Sequence, residues 1–174
     1  HACLQNKVNL NLQWIDADSY EIDDLSSLDG VVVPGGFGVR GIEGKIKAIQ
    51  YLRVNKIPFL GICLGLQCAV IEYARNVCGI NEANSSEFSQ NTKDYVIDLL
   101  PNQDLDKDDV GASMRLGTYP CKIEKNTLTS EIYNEEVIYE RHRHRYEVNN
   151  KYRNILEKNG LIFSGLSPDN NLVE

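Results

Sequence analysis

No run of apolar residues in this chain approaches the roughly 20 needed to span a bilayer, and the N-terminus lacks the charged-then-apolar order of a secretory leader. Membrane insertion and export are therefore not indicated. Positive charge is scarce: 18 Lys and Arg face 25 Asp and Glu, for a net charge of -7 and a pI of about 5.0. Such a balance argues against wholesale nucleic-acid binding. Cysteine is sparse and odd in number, at 3, 63, 68, 78 and 121, and no Cys-x-x-Cys occurs. Neither a disulfide framework nor a zinc ribbon is indicated, and a reducing, cytoplasmic setting fits best. There is no internal repeat and no long linker. What remains is a 174-residue chain, 42% hydrophobic and 25% charged, large enough to bury the core of one soluble domain.

Both ends read as interrupted elements. His1 to Lys7 resembles the last turns of a helix with no start methionine, and Leu172-Val173-Glu174 resembles the opening of a strand. The expectation is a domain, residues 1–174, truncated at both ends and belonging to a larger protein.

Between the ends, Val8, Leu10, Leu12 and Trp14 alternate with polar residues, which predicts a half-buried strand. Gly30-Val31-Val32-Val33 predicts a buried strand that runs into the loop Pro34-Gly35-Gly36-Phe37-Gly38. Ile42, Ile46, Ile49 and Leu52 recur at helical spacing. Pro58-Phe59-Leu60-Gly61-Ile62 is a second short apolar run, and Leu66, Ala69, Val70, Tyr73 and Ala74 are again apolar at helical spacing. Strand, helix, strand and helix joined by short connections predict an α/β fold, an open and mostly parallel sheet with flanking helices. Loops at the carboxyl ends of its strands form the ligand crevice. Asn76 to Thr92 reads as loop or short helix. Met114 to Ile123, Val137 to Val148 and Leu161 to Gly165 predict strands of a β-rich second half, with a short helix from Tyr152 to Asn159 that Gly160 stops.

The most informative residues are Gly61-Ile62-Cys63-Leu64-Gly65. Gly-x-Cys-x-Gly between a strand and a helix has the spacing of a nucleophile elbow, a turn so tight that its flanks must be glycine. Cys63 would stand at a helix N-terminus, where free N–H groups and the macrodipole favour a thiolate. The alternative, a small buried residue at a strand end, does not require glycine on both sides. Gly35 and Gly36 let the preceding loop bring backbone N–H groups close to a ligand. Beside an elbow cysteine, the N–H groups of Gly36 and Leu64 are the natural oxyanion donors, and losing one such donor costs about 3 kcal/mol in the transition state.

Glu140-Arg141-His142-Arg143-His144-Arg145-Tyr146-Glu147 is the densest charge cluster. As a strand it places Arg141, Arg143 and Arg145 on one face and His142 and His144 on the other. The arginines suit a carboxylate. The histidines could ligate a metal, but no further ligand is assignable, and a solvated edge strand is a third reading. Asp104, Asp106, Asp108 and Asp109 surround Lys107 and predict a solvated turn rather than a calcium loop, whose glycine and distal glutamate are missing.

The two glycine motifs, together with Asn84-Ser85-Ser86-Glu87-Phe88, Met114-Arg115-Leu116-Gly117 and Arg141-His142-Arg143-His144-Arg145-Tyr146-Glu147-Val148-Asn149, resemble the glutamine amidotransferase domain of the CTP synthases. The resemblance covers nearly the whole chain, and its first two motifs are shared by class I (triad) amidotransferases generally, with their flavodoxin-like fold. It implies hydrolysis of L-glutamine through a cysteine thioester, with ammonia passed to a synthase domain of the same polypeptide that aminates UTP. It further implies ATP and Mg as requirements of the full-length enzyme, GTP as its activator, and a homo-oligomer, with no cofactor or metal in this domain. By match to the motifs, Cys63 is the nucleophile, and Gly36 with Leu64, Gly65, Leu66 and Gln67 lines the glutamine site. Glu87 meets the substrate ammonium and Arg145 its carboxylate. Phe37, Arg40, Gly41 and Glu43 resemble the segment that responds to GTP. The family completes its triad with a His and a Glu in a Gln-Phe-His-Pro-Glu motif that this sequence does not contain, and the resemblance assigns neither His142 nor His144 as the base. Other class I amidotransferases and γ-glutamyl hydrolases share the loop and the elbow, and a glutamine-binding module without turnover is the reading from outside enzymology.

Overall fold

A computed structural model describes residues 1–99 and 114–174, so the acidic turn expected around Lys107 lies outside the described residues. The chain begins with a single helical turn, α1 (Ala2–Gln5). The parallel pair β1 (Val31–Val33) and β2 (Phe59–Gly61) follows, in register Val31↔Phe59 to Val33↔Gly61. Helix α2 (Ile42–Asn55) connects the two strands and α3 (Leu64–Asn76) follows the second, which is the strand–helix alternation that the apolar spacing predicted.

The core gathers where α3 packs on these strands. Val33, Leu64, Cys68, Ile71 and Ala74 are buried there together with Val96, Ile97, Val148 and Leu156. Full burial of each larger apolar side chain stabilises by about 1.5–3 kcal/mol. One buried charge there is neutralised locally: the Arg53 guanidinium forks onto the buried Glu72 carboxylate through Nε (2.9 Å) and Nη2 (2.8 Å), tying α2 to α3.

The second half is β-rich, as expected, but it is built in two separate pieces. One sheet has β3 (Asn84–Ser85) parallel to β4 (Tyr95–Leu99), and β4 antiparallel to β7 (Tyr146–Val148). The other has the long hairpin of β5 (Arg115–Ile123) and β6 (Val137–His144), with β8 (Gly165–Leu166) on the far side of β5. Short helices α4 (Leu128–Tyr133) and α5 (Asn150–Lys158) connect these elements, and Gly160 with φ +101° ends the latter.

Four expectations are corrected. Val8, Leu10, Leu12 and Trp14 form no strand and are exposed, Trp14 at 89%; alternation marks a strand only when another strand supplies the hydrogen bonds. The run 137–148 is not one strand, because it breaks at Arg145 and its halves join different sheets. Val32 and Leu60, opposite each other on β1 and β2, are each 57% exposed, so that pair is half-buried rather than buried. Leu161 to Gly165 contributes to a strand only at its end, in the two-residue β8. The strands β3 and β4, the helix α4 and a 3-10 turn at Ile22–Leu25 had no counterpart in the sequence reading, which took the stretch holding β3 as loop or short helix.

Candidate active site

The turn at Cys63 is as tight as its glycines suggested. Cys63 adopts φ 55°, ψ -106° at the N-cap of α3, a conformation L-residues rarely hold and which persists only where the surroundings enforce it. The enforcement is steric. A Cβ on Gly61 would lie 2.6 Å from the Gly65 carbonyl carbon, and one on Gly65 would lie 2.2 Å from the Val33 carbonyl oxygen. Strand β1, strand β2 and the first turn of α3 therefore meet through bare backbone, and the cysteine is lifted over the strand ends.

The groups around the sulfur favour its ionised form. A hydrogen bond with the His144 side chain is the largest influence, and the backbone N–H groups of Leu64 and Gly36 add to it; together they outweigh burial and lower the Cys63 pKa. The two N–H groups named as oxyanion donors thus converge on the reacting atom. Gly35 lies against the same cysteine, where an added Cβ would sit 3.3 Å from the Cys63 Cβ. The other buried thiols are of opposite character: burial pushes both Cys68 and Cys121 up to about 11.

His144 is the residue that sequence reasoning did not assign. The alternation of histidine and arginine on β6 was legible, and the structure turns His142 and His144 inward while Arg141 and Arg143 are exposed. Which element the inward face meets was not legible. His144 Nδ1 lies 3.3 Å from Glu147 Oε1, so Nε2 is the nitrogen left for the sulfur. Burial lowers the His144 pKa, but Cys63 and Glu147 outweigh it and raise the imidazole to about 9. His142 turns instead to Glu174, at 2.9 Å, so the two histidines serve different carboxylates rather than one shared point.

The remaining residues named from sequence fall into three groups. Glu87 accepts a hydrogen bond from the Gly38 N–H at 2.8 Å, which ties the glycine loop to the segment after β3. Arg145 sits between β6 and β7, off the face of Arg141 and Arg143, and both it and Glu87 act electrostatically on the partly buried Tyr146. In α3, the Leu64 N–H faces the sulfur, whereas Gly65 is wedged under Val33 and Leu66 packs against the core. Gln67 is buried and its Nε2 donates to the Tyr146 carbonyl at 3.0 Å, fixing the start of β7 beside the elbow.

Phe37, Arg40, Gly41 and Glu43 lie together at the head of α2. Gly41 is its left-handed N-cap, Arg40 Nε meets Asp18 at 3.1 Å, and Glu43 receives the Arg75 guanidinium at 2.9 Å. The Arg143 guanidinium stacks over the Phe37 ring, 5.6 Å from its centroid, which joins this surface to the outer face of β6.

Comparison with known proteins bears on the family and the fold. The family model for class-I glutamine amidotransferases matches residues 1–174. The chain is 57% identical over 178 residues to the CTP synthase of Caldanaerobacter subterraneus subsp. tengcongensis, covering 100% of this chain and 33% of that protein. It is 53% identical over 178 residues to the CTP synthase of Prochlorococcus marinus, covering 100% of this chain and 32% of the relative. It therefore spans only 33% and 32% of these relatives' lengths. Among solved structures, the glutaminase domain of Trypanosoma brucei CTPS with bound acivicin superposes with a TM-score of 0.86 at 40% identity, over 95% of this chain and 65% of that one. Among the described residues, no helix is long and apolar enough to cross a membrane.

Proposed function

This chain belongs to the class-I glutamine amidotransferase family, and from that premise we propose that it is the glutamine-hydrolysing domain of a CTP synthase, with Cys63 as nucleophile. The observation that carries the reading is the strained Cys63, whose sulfur meets the N–H groups of Gly36 and Leu64 and the His144 imidazole together. The relatives named above support the choice of CTP synthase over other class I amidotransferases or a γ-glutamyl hydrolase.

In this mechanism the Cys63 thiolate adds to the side-chain amide carbon of glutamine, and the oxyanion takes hydrogen bonds from Gly36 and Leu64. The C–N bond breaks as the nitrogen takes a proton from the imidazolium of the family's Gln-Phe-His-Pro-Glu motif, which lies outside this sequence, releasing ammonia and leaving a glutamyl thioester. Water then attacks the thioester, giving its proton to the imidazole, and glutamate departs with the thiolate restored. Glu87 receives the substrate ammonium and Arg145 its carboxylate, the charge match a zwitterion requires. Leu64 to Gln67 line the pocket, Gly65 and Gln67 by holding its wall in place.

Ammonia passes to a synthase domain of the same polypeptide, which aminates UTP at the expense of ATP with Mg, in a homo-oligomer. ATP and Mg act there, outside these residues. Phe37, Arg40, Gly41 and Glu43 form the surface that responds to GTP. Five free thiols fit a reducing cytoplasm.

The reading without turnover fares poorly, because a strained, thiolate-favouring cysteine beside an imidazole has no use in a passive binding module. The test is glutamate release from glutamine by the protein extended to include the family's Gln-Phe-His-Pro-Glu motif, and by its Cys63→Ala variant. Release that depends on Cys63 is expected. Release that survives the substitution, or tight glutamine binding without any release, refutes the proposal.

A further inference from the structure

The oxyanion donor Gly36 lies in a stretch that little else holds. Residues 34–38 follow β1 without regular structure. Among the described residues, two hydrogen bonds tie this stretch to other segments: the Gly36 N–H to the Cys63 sulfur, and the Gly38 N–H to Glu87 Oε1 at 2.8 Å. Gly38 makes its bond at φ +80°. A Cβ there would meet nothing within 4 Å, so its glycine answers to backbone conformation rather than to crowding. The segment at the other end of the bond is firmly anchored. Ser85 is buried, and its Oγ accepts the Glu87 N–H at 3.1 Å. The Ser86 N–H donates to the Ile97 carbonyl at 3.1 Å and its hydroxyl to Asp98 Oδ1 at 2.7 Å, both on β4, while Phe88 packs on the core.

We infer that Glu87 is a positioning residue as well as the ammonium site: its carboxylate clamps the loop through Gly38 and so sets the Gly36 N–H over the Cys63 sulfur. This rests on the proposed glutaminase function and deepens it by joining substrate recognition to the oxyanion donor. A carboxylate accepts hydrogen bonds on both oxygens, so Oε1 can hold Gly38 while Oε2 meets an ammonium. Only Phe37 separates Gly38 from Gly36, and a loop released at Gly38 carries the donor with it. The stacking of Arg143 on the exposed Phe37 ring, at 5.6 Å, is a looser tether than a hydrogen bond to a charged acceptor. Placement matters because an oxyanion donor must stand where charge develops, and a misplacement of about 1 Å costs about 10²-fold in rate. Binding energy gained at the remote ammonium then serves the reacting carbon, which raises kcat rather than only lowering KM.

Glu87→Gln and Glu87→Ala separate the two tasks, since both remove the charge but only the first keeps an acceptor for the Gly38 N–H. One readout needs no turnover: the pH dependence of Cys63 alkylation by iodoacetamide in this protein, followed by mass mapping of the Cys63 peptide. The sulfur is governed by His144 and by the N–H groups of Leu64 and Gly36, of which Gly36 alone lies in the loop. The midpoint of Glu87→Ala should stand about half a pH unit above that of Glu87→Gln, about a threefold loss of thiolate below the midpoint. The second readout is hydrolysis of the glutamine analogue that lacks the α-amino group, by the protein extended to include the family's Gln-Phe-His-Pro-Glu motif. With no ammonium to bind, Glu87→Ala should have a kcat about tenfold below that of Glu87→Gln, at similar KM. The same midpoint or the same kcat in the two variants overturns the clamp. A fall in Tm with faster labelling of the buried Cys68 would overturn it too, as the mark of general loosening. Should Glu87→Ala not fold, Glu87→Asp carries the test: it keeps the charge, is one methylene shorter, and must raise the midpoint above wild type. Failure of the extended wild-type protein to release glutamate would refute the glutaminase reading, while the midpoints decide the clamp separately.

Discussion

Replacing Gly65 by alanine sets two physical effects against each other. Gly65 lies in the first turn of α3, where alanine ordinarily stabilises a helix by about 0.5–1 kcal/mol relative to glycine. Here the new Cβ would stand 2.2 Å from the Val33 carbonyl oxygen and 3.0 Å from its carbon. Both atoms are backbone and cannot swing aside, and the same oxygen accepts the Ile62 N–H at 2.9 Å. Relief requires either β1 or the first turn of α3 to move by most of an ångström. Overpacking of this kind costs about 1–3 kcal/mol, and a compromised buried hydrogen bond adds about 1–3 kcal/mol. The net expectation is a destabilisation of about 3 kcal/mol after the helix gain, or a fall in Tm of roughly 6–12 °C for a chain of this size. Thermal melts read the stability, and the Cys63 alkylation rate reads the elbow. Gly35→Ala is the comparison, because its Cβ would meet only the Cys63 side chain, at 3.3 Å from Cβ and 3.8 Å from Sγ, and the Ile62 carbonyl at 3.8 Å. It should leave Tm nearly unchanged while slowing alkylation. A Gly65→Ala protein as stable as the wild type, or more so, would show that strand and helix do not meet through bare backbone here.

Three further outcomes are expected. Under limiting alkylator at neutral pH, Cys63 should react well ahead of Cys68 and Cys121, whose burial holds their thiols at about 11; preferential labelling of either would contradict the elbow. Glu87→Ala or Arg145→Ala, assayed together with the proposed synthase domain, should cost about 2–5 kcal/mol in kcat/KM for glutamine and spare the use of free ammonia, so equal loss with both nitrogen sources would point to misfolding or a misassigned pocket. The raised pKa of His144 means that its charge stabilises the fold fully below the unfolded value near 6.5, and that this contribution is lost as pH rises through about 9. The Tm difference between wild type and His144→Gln should therefore shrink between pH 6 and 10, and a difference that stays constant refutes the ion pairing.

How much was legible before folding depended on the range of the interaction. Gly61, Cys63 and Gly65 announced the elbow because the constraint is local: a strand turning at once into a helix leaves no room for Cβ atoms, and any sequence must meet that demand within five residues. The helices α2 and α3 were legible for the same reason, since their apolar spacing refers only to their own axis. Val8 to Trp14 misled because alternation describes one strand, whereas a sheet needs two. The break at Arg145 and the identity of His144 as the imidazole at the sulfur were beyond local patterns. They follow from β5 pairing with β6 so that Arg115 faces His144, from β4 drawing β7 into a different sheet, and from Gln67 anchoring β7 beside α3. The sequence by itself determined that a cysteine would be strained and exposed to attack chemistry at a strand–helix turn. Only the tertiary structure decided which imidazole stands beside it, because that choice is made by sheet register across distant segments, where a shift of one residue would turn both histidines outward.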